Sequence, residues 1–302
     1  MCRLFGTALV LLALLIPSAN VLGRARFVAD DPVVEIPFSF EKGHIVVRAK
    51  IKGSVPVELV VETGAEHSKM DGGLLDKYKL PSFYSAERPV TGNNDRLYSF
   101  STVPDVRVGE LGGKSLSMRL YSFASETEQL GREIFGSLGA DFFRGRIVQF
   151  DFKKKVVRFL QQSPFNAGDA VATNTTPQIA VLPMRYKENL TLPVSESVTI
   201  EGKKFKTNFD TGILTVVSLS ADAAKRLGLE VPPDKAPPRA GTISSLRFAE
   251  LELKNVPVLL YPKGYDFTTY DKDFEAIAGI ALLQNFLVTF DYRQRVIILA
   301  RY

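Results

Sequence analysis

Cysteine is almost absent from this chain: Cys2 is the only one in 302 residues, and it stands ahead of the first apolar run. Once a leader containing it is removed, no disulfide can brace the fold and no thiolate can serve as a nucleophile. A lipid-anchor cysteine would have to follow the apolar run, so a lipoprotein is not expected. Histidine is nearly as scarce. His44 and His67 lie in different segments with no Cys/His cluster to join them, which argues against a zinc site or a serine-histidine triad. His67 reads as a solvated turn residue. No metal or cofactor is expected.

Positive charge is in mild excess only, +5 in formal terms, with no long basic run and no basic patch interleaved with aromatics, so nucleic acid is not an expected partner. Long apolar runs are missing apart from Leu4 to Ile16, 13 residues, against the roughly 20 that span a bilayer. Arg3 before that run and small residues after it, ending in Val21-Leu22-Gly23, give the layout of a secretory signal peptide over residues 1–23. The expected product is exported, periplasmic or secreted, without a stable membrane span after cleavage. An uncleaved N-terminal anchor is the alternative.

Hydrophobic residues make up 45% and charged residues 24% of the chain, a globular balance with length for two domains. Short apolar runs of period two, "HIVVRAKI", "VELVV", "RIVQFDF" and "VVRFL", alternate with Gly, Pro and Asn turns and predict a mostly β protein. Helical composition is confined to a few stretches, chiefly 72–80 and 220–229.

The two halves repeat one pattern. "KIKGSVPVELVVETGA" turns at Gly53 and reaches Glu62-Thr63-Gly64 nine residues later; "TIEGKKFKTNFDTGI" turns at Gly202 and reaches Asp210-Thr211-Gly212 after eight. Further on, "IFG" ending at Gly136 and "IAG" ending at Gly279 each lead to a Phe-Asp-aromatic strand end, a basic turn and a closing strand. The intervals are 74 residues from Glu62 to Gly136 and 69 from Asp210 to Gly279. Internal duplication is the simplest account. It gives an N-terminal lobe over 24–160, a polar linker over 161–183 and a C-terminal lobe over 184–302.

A strand that runs into Asp-Thr-Gly sets a carboxylate at the mouth of a tight turn. Two such turns can bring two carboxylates together, and carboxylates about 3 Å apart share one proton. The pair can deprotonate a water as it attacks a carbonyl and protonate the departing nitrogen.

In these motifs the chain resembles the two-lobed aspartic peptidases of the pepsin and retropepsin-like group, bacterial retropepsin-like members especially, over about residues 40–300. The resemblance rests on "ETGA", "DTGI", the two apolar-apolar-glycine elements and the "FDF" and "FDY" strand ends. It implies two β-barrel lobes with few short helices, a dyad of Glu62 and Asp210, loops supported by Thr63, Gly64, Thr211 and Gly212, and glycines 136 and 279 in the element beside each loop. It also implies a flap around "TGNNDRLYSF" with Tyr98 as its aromatic, a peptide or protein substrate, and a monomer, since one chain supplies both halves. Two positions depart from the family pattern: Glu62 replaces the first aspartate, and Ile213 replaces a small residue. The glutamate adds a methylene where a misplacement near 1 Å can cost about a hundredfold in rate. Three readings therefore stand: a peptidase, a catalytically impaired peptidase-shaped protein that binds peptides or proteins in the same cleft and has lost most turnover, and a β protein with two ordinary acidic turns.

Overall fold

The computed structural model describes residues 32–87, 96–164, 178–187, 190–265 and 274–302. The leader and the first half of the expected flap, residues 91–95, lie outside the described residues. The chain is mostly β and closes two six-stranded barrels. Among the described residues no helix is long and apolar enough to cross a membrane.

Each barrel is organised around one hairpin. In the first half His44–Ile51 pairs with Val55–Val61, and in the second Leu190–Ile200 pairs with Lys203–Asp210. Both hairpins turn at a lysine or glutamate followed by glycine, and both turn residues have positive φ: Lys52 51° and Gly53 82°, Glu201 47° and Gly202 75°. The left-handed conformation is one that glycine adopts without steric cost, which fixes where each hairpin reverses.

The second strand of each hairpin then takes a parallel neighbour. Val61 stands opposite Leu138 in the strand Gly136–Leu138, and Asp210 opposite Gly279 in Ala276–Gly279. These registers correct the expected pairing of Gly136 with Gly279. The counterpart of Gly279 is Gly139, which lies 140 residues before it, the same separation as Asp151 from Asp291. Contact geometry agrees. A Cβ on Gly139 would fall 2.7 Å from the carbonyl oxygen of His67, and one on Gly279 would fall 2.2 Å from that of Thr215, the residues five beyond Glu62 and Asp210.

Six antiparallel strands join the lobes, in the order Ile179–Pro183, Val296–Arg301, Phe286–Asp291, Ile147–Asp151, Val156–Leu160 and Pro32–Glu41. The central pair is antiparallel, so its two Phe-Asp ends point in opposite directions, with Phe150 and Phe290 ring centroids meeting diagonally at 5.9 Å and Gln149 Nε2 donating to Thr289 Oγ1 at 3.1 Å. The end of the stretch assigned as linker, 161–183, takes part in this sheet. Its last five residues alternate in burial and form an edge strand of this shared sheet.

Helices are few and short. In Ala221–Arg226 the Ser220 side chain accepts from Ala223 N–H, and Lys225 and Arg226 occupy the last turn, so both ends suit the helix dipole. One continuous cluster of buried apolar side chains runs through both halves.

Candidate active site

The two acidic turns meet where the barrels face each other. Thr63 Oγ1 donates to Phe209 C=O at 2.9 Å and accepts from Thr211 N–H at 3.1 Å; Thr211 Oγ1 donates to Val61 C=O at 2.8 Å and accepts from Thr63 N–H at 3.1 Å. The four bonds form a twofold-like set, and both threonines are almost wholly buried. Each hydroxyl satisfies one donor and one acceptor of the opposite loop, so neither loop is complete alone.

The missing side chains of the two glycines let the acidic chains approach. A Cβ on Gly212 would lie 2.7 Å from Glu62 Cγ and 3.2 Å from Asp210 Oδ1, and one on Gly64 would lie 2.2 Å from Asp210 Cγ. Around the carboxylates themselves the symmetry breaks. Asp210 Oδ1 accepts both glycine N–H groups, Gly212 at 2.7 Å and Gly64 at 3.1 Å. Glu62 Oε2 instead accepts from Lys69 Nζ at 2.8 Å and Ser137 Oγ at 3.0 Å, both in its own lobe.

The two acids therefore sit in different environments. Burial pushes the Asp210 carboxyl up to about 6, helped by the charge on Glu62 and opposed by the N–H groups of Gly212 and Gly64 and by the ammonium of Lys69. Burial also disfavours the charge on Lys69, but Glu62 and Asp210 outweigh it and hold that ammonium above the ordinary lysine value. Lys69 further lies over the Tyr121 ring, 5.0 Å from its centroid.

A cavity of about 320 Å³ opens above the pair and takes its walls from both lobes. Glu62, Gly64, Asp210, Gly212 and Ile213 line it, as do Lys69, Tyr121, Glu126 and Asn208. Thr63 and Thr211 lie beneath, as loop supports. Tyr98 does not line the cavity; it pairs with Ser85 in a hairpin and carries the Arg119 guanidinium 3.6 Å from its ring centroid. Among the described residues no group of three or more His, Cys, Asp or Glu is placed to hold a metal.

Sequence reasoning missed Lys69, Ser137 and Asn208. Counting back from the two Phe-Asp strand ends sets Ser137 opposite Ile277 and would have brought it into the site; nothing in the spacing of Lys69 distinguishes it from a surface lysine. A scan against protein-family models finds no match to the chain, and a search of curated proteins finds none either.

Proposed function

We propose that the chain is an acid-active peptide hydrolase of the aspartic type, with a water activated between Glu62 and Asp210 and both lobes arranged as in pepsin-like enzymes. One observation carries this reading. Two acidic turns, one from each repeat, are tied together by reciprocal threonine bonds under a shared cavity, and burial raises the carboxyl of Asp210. A carboxyl kept neutral by burial beside a second acid can serve as the proton donor of such a pair.

Glu62, held by Lys69 and Ser137, is placed as the base, while burial favours the neutral acid on Asp210. Glu62 takes a proton from water as the oxygen attacks the peptide carbonyl carbon, and Asp210 gives its proton to the carbonyl oxygen. Collapse of the resulting gem-diol breaks the C–N bond as the nitrogen takes the proton held by Glu62 and a hydroxyl proton returns to Asp210. Activity should therefore be strongest below about pH 6 and fall as Asp210 ionises.

The test is cleavage of a mixed peptide library at pH 5, read by mass spectrometry. Wild type is expected to cut, and Asp210→Asn and Glu62→Gln to lose about a hundredfold or more. Products that persist unchanged in Asp210→Asn would reject the dyad.

One observation favours the second reading, a cleft that binds peptides without cutting them: Glu62 Oε2 is already engaged by both Lys69 and Ser137. That reading predicts no cleavage by wild type and recovered cleavage in Glu62→Asp, whose shorter chain cannot reach the same partners.

A further inference from the structure

Beside Asp210 the cavity carries a polar group that the hydrolytic scheme does not use. Asn208 precedes Asp210 by two residues on the strand Lys203–Asp210, so both side chains share one face of the sheet. It is 2% exposed and lines the cavity. Its lateral neighbours are Val194 and Ile277, both apolar. Its Oδ1 is buried and has no hydrogen-bond partner among the described residues.

A buried carbonyl oxygen left unpaired is destabilising, and such groups in native proteins call for a partner outside the protein's own bonds. The fold does not demand this one. The matching position in the first lobe, two residues before Glu62, is Val60, which is buried and apolar. The walls near Asn208 are likewise apolar, from Leu192, Ile213, Phe274 and Ile277.

We infer that Asn208 is a specificity-determining residue, which reads a neutral side chain with an apolar stem and a hydroxyl or carboxamide end in the C-terminal half of the cleft. A half-turn about its last torsion exchanges its oxygen and nitrogen, so the carboxamide can accept or donate. Hydroxyl and carboxamide ends do both as well. A carboxylate end would meet three carboxyl groups, Glu62, Asp210 and Glu126, against one ammonium, Lys69, that Glu62 already engages, and be disfavoured. The inference rests on reading the cavity as a peptide cleft, though not on turnover.

Equilibrium binding decides it, measured by fluorescence polarisation at pH 8, where Asp210 has lost its proton and cleavage is slow. The probes are short peptides scanned position by position with the near-isosteric pairs Thr against Val and Asn against Leu. Wild type should bind the polar member about tenfold tighter at one position, because the apolar member leaves Asn208 unpaired. In Asn208→Leu that preference should vanish or reverse. Binding without preference at any position overturns the inference, and so does a preference that survives in folded Asn208→Leu. Should that variant fail to fold, the wild-type ranking alone decides. Absence of binding to every peptide overturns both this inference and the peptide-cleft reading. The expected preference without cleavage at any pH would sink the hydrolase reading and leave Asn208 in its role.

Discussion

At Glu62 one methylene sets the local geometry. Glutamate in place of aspartate does not push the carboxylate further across the seam; it lets the side chain fold back to Ser137 and Lys69 in its own lobe. With side-chain exposures of 15% for Glu62 and 20% for Lys69, the pair is well withdrawn from water, and removing one partner strands the other. Lys69→Met alone should lower stability by about 2–3 kcal/mol, while Glu62→Gln combined with Lys69→Met should recover part of that loss. Urea unfolding of the two single variants and the double variant measures the coupling. Strictly additive effects would mean that the ion pair contributes nothing. The acid, threonine and glycine of each turn were legible in the sequence because local chemistry dictates them. Lys69 was not, because its role arises from a strand register that places Lys69 opposite Ser137.

Elements were legible where alternation or turn chemistry is strong. His44–Ile51 and Val156–Leu160 run over the ranges their patterns imply, and the helices at Leu75–Tyr78 and Ala221–Arg226 fall in the two stretches with helical composition. The register of the strand beside the first acidic turn is misread when the interval is counted from the acidic turn and not back from the Phe-Asp strand end. "FGSLGA" offers two glycines three residues apart, and both are places of close approach: a Cβ on Gly136 would lie 2.0 Å from Lys69 C=O, and one on Gly139 2.5 Å from His67 C. Spacing from the acidic turns favours Gly136, whereas counting back from the Phe-Asp ends and pairing across the sheet both select Gly139. Gly139→Ala is expected to destabilise the fold by about 2 kcal/mol or more, since backbone must move to admit the methyl group. The threonine contacts give a second prediction. Thr63→Val leaves Phe209 C=O and Thr211 N–H buried without their partner and should cost about 2–4 kcal/mol. Thermal melting with denaturant titration checks both. Wild-type stability in either variant would show that the loops have room that the contacts deny.

At the scale of the whole molecule the duplication was legible because four landmarks recur in order, but the sheet that fuses the halves was not. Its outermost C-terminal strand, Ile179–Pro183, lies directly after a polar stretch and is bracketed by prolines, so composition masked its alternation. That fused scaffold holds a buried acid at its centre, with a consequence for stability. Asp210 has an ordinary value of 3.8 and stands at about 6 in the fold. The folded state therefore binds this proton more tightly than the unfolded chain does. The stabilisation from this site is complete below the unfolded value and is lost as pH rises through the folded one, leaving a deficit of about 3 kcal/mol at neutral pH. Asp210→Asn removes the titration. Its stability relative to wild type should rise between pH 4 and pH 7.5 by up to that amount, as read from urea unfolding at both pH values, and a difference that stays constant would contradict the shift.

The central claim is that Glu62 and Asp210 act on each other as one carboxylate pair, and a ¹³C titration of the Asp210 carboxyl in wild type and Glu62→Gln tests it most directly. The predicted midpoint is near pH 6 in wild type, moving down in Glu62→Gln because the neighbouring negative charge is gone. A wild-type midpoint in the ordinary aspartate range, or one that does not move in Glu62→Gln, would contradict the pair.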